Sequence, residues 1–264
     1  MTLVLHHASL SSCSQKVRLV LAEKQLEFES CEIDLVGGGQ HAPEYVKLNP
    51  NHVVPTLVHD AAVLIESSLI NEYLDEAFPE SPMRPADLRA RHAMRLWVKR
   101  IDEKVHPAAG VLTYAIGARP IALQQPPEVR DAAIEAIPDP VRRAQRRSVI
   151  EHGVKAPEFA GALRHFIELL DDMEAALVSE GWLSGERFGL ADAAALPYVQ
   201  RLDQLAMTPL LAAERRPRVA DWLAGVRARP SYGPAITEWL PAPAIELFRG
   251  QGEAVWADVE PLTR

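Results

Sequence analysis

The chain has little cysteine, few aromatic residues and no long apolar run. Only two of its 264 residues are cysteines, Cys13 and Cys31. Two thiols build no disulfide framework, and such usage fits a reducing, cytoplasmic setting. No Cys-x-x-Cys pair or spaced His/Cys set is present, so no structural metal site is expected. No apolar run is long enough to span a bilayer, and the first residues lack the basic and apolar regions of a signal peptide. A basic excess is missing too: 28 Lys and Arg face 36 Asp and Glu, a net charge of -8. That balance argues against nucleic acid or an anionic membrane as the main partner.

What remains is an ordinary globular composition, 48% hydrophobic, in a chain long enough for one or two cores. The first part reads as a strand (3–8), a helix (14–25) and a strand (28–35) in which Cys31, Ile33 and Leu35 alternate with Glu32 and Asp34. A Gly-rich loop (37–39) and a short helix (43–48) follow. Residues 56–60 and 62–66 read as a hairpin turning at Asp60-Ala61, and Ser67 to Phe78 as a helix with Leu69, Ile70, Tyr73 and Leu74 inward. The order β-α-β-α-β-β-α makes one small mixed sheet with helices on its faces. Pro79, Pro82 and Pro85 mark a linker. Beyond it the pattern is helical over 87–117, 141–152, 157–179, 190–205 and 216–228. Pro120, Pro126, Pro127, Pro138 and Pro140 suggest an insertion, and Trp239, Phe248 and Trp256 in the tail are expected to pack back on the helices.

Ser11, Ser12, Cys13 and Ser14 open the first amphipathic helix, with Val17, Val20 and Leu21 on its apolar face. Free backbone N–H groups and the helix dipole favour negative charge there, which suits a thiolate of the protein or of a ligand. Plain capping is the ordinary use of serine at this place. Three serines beside a cysteine exceed what a cap requires. Glu66-Ser67 stands ahead of another helix, where a cap and an anion site can share donors. Arg142, Arg143, Arg146 and Arg147 recur at helical spacing and read as a solvated, salt-bridged face.

These residues resemble the glutathione transferase superfamily. SSCSQKVRLVLAEK is similar to the first-helix motif of zeta-class members, NPNHVVPTLVHD to the cis-proline segment, and ESSLINEYLDEAFPES to the glutamate-serine motif and third helix. LADAAALPYVQRL with RPRVADWLAGVRARPS resembles the C-terminal helical core. IPDPVRRAQRR, in a segment (105–155) longer than usual, resembles bacterial β-aryl etherases, and VIEHG resembles reductive dehalogenases of tetrachlorohydroquinone.

The resemblance implies a mixed α/β plus all-α protein. A thioredoxin-like glutathione-binding domain (1–80) would join an all-helical substrate domain (87–264) through a linker (81–86). It implies a homodimer, with glutathione as co-substrate and a small hydrophobic electrophile held between the first helix and the helices after the linker. His106, Tyr114 and Trp239 are candidate linings. Ser11 would stabilise the glutathione thiolate, with Ser12 and Ser14 as alternatives. Cys13 would be either an accessory or, as in the dehalogenases, the site of a mixed disulfide, while Cys31 would be inert packing in a core strand. Val54, ahead of a cis Pro55, would pair with the cysteinyl backbone by strand addition. Glu66 would meet the γ-glutamyl ammonium and Ser67 its carboxylate. Gln40, His41 and His52 are candidates for the glycyl carboxylate. Gly189 replaces the family's Ser/Thr cap, with Asp192 still able to accept from the cap's N–H. An aryl ether or halide is the electrophile the etherase and dehalogenase branches imply. A cysteine-dependent thiol transferase, a maleylacetoacetate-type isomerase and a non-catalytic glutathione-binding module are the rivals.

Overall fold

The computed structural model describes residues 2–177 and 181–264. It contains two compact units, Met1–Val98 with Glu180–Pro197 and Ala224–Pro241, and Lys99–Ser179 with Tyr198–Leu223 and Ala242–Arg264.

The first unit carries a four-stranded sheet in the order β2-β1-β3-β4. Strands β1 (Leu3–His7) and β2 (Glu29–Glu32) run parallel across helix α1 (Ser12–Glu23), with Leu5 opposite Ser30. Helix α2 (Pro43–Leu48) leads to the hairpin β3 (Thr56–His59) and β4 (Ala62–Ile65), in which Leu57 faces Leu64. β1 lies antiparallel to β3, with Leu5 opposite Leu57. Helix α3 (Ser67–Ala77) packs on α1. Leu5, Val17, Leu21, Leu57, Ile70 and Leu74 are buried and form the centre of this core.

Three details depart from expectation. Leu69 is 64% exposed and Leu35 38%, so the inward face of α3 is narrower than its apolar pattern and β2 stops short of Leu35. Cys31 lies half-buried on an edge strand rather than in a core strand. An edge strand has a neighbour on one side only, which leaves its side chains more open than alternation alone implies.

The linker is anchored, not loose. Lys24 Nζ donates to Phe78 O (2.8 Å) and Ser81 O (2.9 Å) and pairs with Asp75 at 2.9 Å. Asp75 also accepts the Met83 N–H at 2.7 Å. The Lys24 and Asp75 side chains are both sealed from solvent.

A long helical run begins with α4 (Leu88–Arg100) and continues through α5 (His106–Leu112) and α6 (Arg119–Gln124), joined by the wider π-type turns Ile101–Val105 and Thr113–Ala118. The Pro-rich stretch is itself helical. Pro127 and Pro140 stand at the first positions of α7 (Pro127–Glu135) and α8 (Pro140–His152), where a missing N–H costs nothing. Helix α9 (Phe159–Ala176) buries Phe159, Leu163, Phe166 and Leu170, and α5 packs against it. The expected helix end at 178–179 lies outside the described residues. Helices α10 (Leu190–Gln204), α11 (Pro217–Arg227) and α12 (Tyr232–Ala235) follow. The tail then forms an unexpected long helix, α13 (Ala242–Val259), which buries Phe248.

At the start of α10, Asp192 accepts from Gly189 N (3.1 Å), as expected, and also from Leu183 N (2.8 Å) and Ser184 N (3.2 Å). Ser184 Oγ in turn accepts from Ala191 N at 3.0 Å. A Cβ on Gly189 would lie 2.2 Å from Met83 O, so glycine is required here by close approach.

Candidate active site

Ser11 is the N-cap of α1, in extended conformation (φ -69°, ψ 118°). Its Oγ accepts the Ser14 N–H at 3.2 Å. The cap uses the oxygen's lone pairs, and the hydroxyl proton has no acceptor among the described residues. Ser12 and Cys13 form the first turn and are half-buried. Ser14 turns inward: it is 0% exposed, and its Oγ accepts the Ala8 N–H at 3.2 Å. Of the three serines, Ser14 is therefore committed to the fold.

The other candidates gather in two places. The Val54–Pro55 peptide is cis. Val54 packs with Ala8 and Tyr45 beneath the loop. Tyr45 Oη donates to Val53 O (2.6 Å), and Asn49 Nδ2 donates to the same carbonyl (2.9 Å) and to Thr56 Oγ1 (3.0 Å). Burial raises the Tyr45 phenol, keeping it the neutral donor this contact needs. Glu66 stands at φ 68° just before α3, with Asn51 Nδ2 3.4 Å from its Oε1, and Ser67 opens the helix 7% exposed.

Gln40, His41 and His52 are brought together. Gln40 Nε2 lies 3.1 Å from His41 Nε2, and His41 Nδ1 lies 2.9 Å from His52 Nδ1. The amide nitrogen can only donate, so His41 Nε2 is the acceptor and its proton sits on Nδ1, donated to His52. Burial, with His52 adding to it, lowers the His41 pKa and favours this neutral form.

Arg18 and His7, which the sequence left in the background, join Trp239 behind the first turn of α1. Arg18 is 1% exposed. Its guanidinium donates to Ala235 O (2.8 Å), Ala8 O (3.2 Å), Ser9 O (3.1 Å) and His7 Nδ1 (3.0 Å), and lies 5.1 Å from the Trp239 ring centroid. His7 Nε2 is 2.8 Å from Ser30 Oγ, and Trp239 meets the His7 ring edge-on at 4.6 Å. The one sequence signal for Arg18 is a cation set between the apolar Val17 and Leu19 in the middle of the helix.

His106 and Tyr114 belong to the second unit and Trp239 to the first. His106 Nδ1 is 3.1 Å from Tyr198 Oη, while Tyr114 is covered by the Arg146 guanidinium, 3.0 Å from its centroid. Two others of the arginine run are salt-bridged as expected: Arg143 pairs with Glu135, and Arg147 with Glu135 and Asp131.

Residues 5–82 match the model of the glutathione S-transferase N-terminal domain, and residues 131–225 match that of its C-terminal domain. Protein LigF of Sphingobium sp. (strain NBRC 103272 / SYK-6) is 30% identical over 261 residues, which cover 97% of this chain and 100% of that protein. This chain belongs to the glutathione S-transferase family. The crystal structure of beta-etherase LigF from Sphingobium sp. strain SYK-6 superposes with a TM-score of 0.81 at 30% identity, covering 89% of this chain and 98% of that one. A zeta-class glutathione S-transferase of Euphorbia esula is 42% identical over 81 residues, 31% of this chain and 36% of that protein. The protein is accordingly a transferase with glutathione as its co-substrate, on a thioredoxin-like sheet unit followed by a helical part. Among the described residues no helix is long and apolar enough to cross a membrane.

Proposed function

We propose that Ser11 stabilises the thiolate of bound glutathione for attack on an aromatic electrophile. The observation that carries this reading is the state of the Ser11 hydroxyl: its oxygen is held by the Ser14 N–H, which leaves the proton to donate to sulfur. A hydrogen bond to a charged group contributes roughly 1.5–3 kcal/mol, about one to two pKa units of thiolate stabilisation. The Val54 backbone would pair with the cysteinyl residue, Glu66 and Ser67 would hold the γ-glutamyl end, and Gln40, His41 and His52 would meet the glycyl carboxylate. Ser12 and Cys13 would flank the sulfur.

The thiolate then attacks the electrophilic carbon. A C–S bond forms, and the C–O or C–halogen bond breaks with its electron pair on the leaving group. Likeness to LigF along nearly the whole chain supports an aryl ether as the substrate. The domains would divide at the linker 81–86, and the protein would work in the cytoplasm as a homodimer. Leu69, Leu88 and Leu96 are exposed large apolar side chains of the first unit that such a contact would cover.

The test is ultraviolet titration of the bound thiolate. Ser11→Ala is expected to raise its pKa by about one to two units, while Cys13→Ala leaves it near wild type. A signal insensitive to Ser11 and lost with Cys13 would instead establish cysteine-centred thiol exchange. Absence of any bound thiolate would overturn the assignment to Ser11.

A further inference from the structure

The hydrogen bonds among Ala8, Ser11 and Ser14 form a closed circuit around the first turn, and Arg18 grips it from outside through Ala8 O. Ala8 O accepts both the Ser11 N–H (3.1 Å) and Arg18 Nη1 (3.2 Å). Ala8 N donates to Ser14 Oγ, and Ser14 N donates to Ser11 Oγ, each at 3.2 Å. The same guanidinium takes Ser9 O and, from the tail, Ala235 O. We propose that Arg18 is a positioning residue for Ser11, its fork of donors holding the Ala8–Ser9 turn so that the serine hydroxyl is presented to sulfur.

Two further observations support this role. First, none of the Arg18 hydrogen bonds among the described residues goes to a carboxylate; its partners are three carbonyls and an imidazole. A buried charge whose hydrogen bonds all go to dipoles, with the Glu32 carboxylate adding only a through-space attraction that does not offset burial, is a poor source of stability. What the guanidinium adds is simultaneous, directional contact with four acceptors, which neither Lys nor an apolar residue reproduces. Second, Trp239 covers the guanidinium and caps His7, so the contacts to the turn stay out of competition with water.

The inference rests on Ser11 as the thiolate-stabilising group, and the experiment separates the two. Ser11→Ala, Arg18→Lys and Arg18→Met are compared by the pKa of bound glutathione and by the affinity of S-methylglutathione, whose sulfur cannot ionise. Arg18→Met is expected to raise the thiolate pKa by about one unit, a roughly tenfold loss of thiolate, with S-methylglutathione bound within about threefold of wild type. Arg18→Lys is expected to show a smaller rise, since the charge is kept and the fork lost. It decides the matter if Arg18→Met does not fold.

A raised pKa in Ser11→Ala with a wild-type pKa in the folded Arg18 variants overturns the positioning role alone. Weakened S-methylglutathione binding at an unchanged pKa does the same, because it marks a merely structural residue. An unchanged pKa in Ser11→Ala removes the reading beneath it.

Discussion

Arg18 donates to His7 Nδ1 at 3.0 Å, and this single contact fixes the tautomer of a fully buried imidazole. Guanidinium has no acceptor, so Nδ1 carries the lone pair and Nε2 carries the proton, donated to Ser30 Oγ at 2.8 Å. Burial first, then the Arg18 charge, pushes the His7 pKa down to about 4, and Glu32 opposes this only in part. The unfolded chain therefore takes up a proton near pH 6.5 that the folded protein refuses until about pH 4. Stability contributed by neutral His7 is complete above pH 6.5 and falls as pH drops towards 4, by about 3 kcal/mol. Urea denaturation at several pH values should show this slope in wild type. It should flatten in His7→Asn, whose amide oxygen can take the Arg18 bond without titrating.

Asp192 gathers three backbone N–H groups at the entry to α10, from Leu183, Ser184 and Gly189. Removing a buried acceptor leaves each donor desolvated and unpaired, at about 1–3 kcal/mol apiece. Asp192→Ala is expected to cost about 3–5 kcal/mol, read as a lowered denaturation midpoint, whereas the thiolate pKa of correctly folded protein should not move.

The Lys24–Asp75 pair should behave as a unit. Lys24→Met leaves the buried Asp75 carboxylate with Met83 N and only the longer Arg84 Nε contact at 3.5 Å, and a loss of up to about 3–5 kcal/mol is expected. Lys24→Met combined with Asp75→Leu should recover part of that loss, since no charge is then stranded. A double variant less stable than Lys24→Met would contradict this account.

How much of this was legible beforehand depended on the range of the interaction. The hairpin at Asp60-Ala61 follows from neighbours in sequence and stands where it was expected, and α1 runs two residues ahead of its expected bounds, 12–23 rather than 14–25. Leu69 shows the limit: spacing tells which side of a helix is apolar, not whether another element covers all of it. The prolines show another. Pro127 and Pro140 were legible as breaks, yet each opens a helix, because the residue that interrupts one helix is well suited to the first turn of the next. In the candidate site, the serine cluster was visible as a local run, whereas Ser14's commitment to Ala8 N and the partners of Arg18 needed the fold. Ala235 lies 217 residues from Arg18, and no pattern in sequence connects the two.

Two glycines of α13 should respond in opposite ways to the same change. A Cβ at Gly252 would stand 1.8 Å from Leu205 O, while one at Gly250 would meet nothing within 4 Å. Gly252→Ala is expected to destabilise by about 1–3 kcal/mol or more through overpacking. Gly250→Ala should stabilise by about 0.5–1 kcal/mol, because alanine is the better helix former. Thermal melts of the two variants check both signs.

The entry to α10 also shows that a missing motif is not a missing function. The family's cap position holds Gly189, yet the N–H that a capping serine would serve, at Ala191, is bonded to Ser184, five residues before the glycine. The Met83 carbonyl occupies the space where a side chain on residue 189 would begin. The two jobs of one residue are thus divided: Gly189 permits the close approach and Ser184 supplies the oxygen. Restoring the family's serine at 189 would bring a clash rather than a cap. A search for the local signature would therefore score this helix as uncapped, although its second N–H is satisfied from a distance.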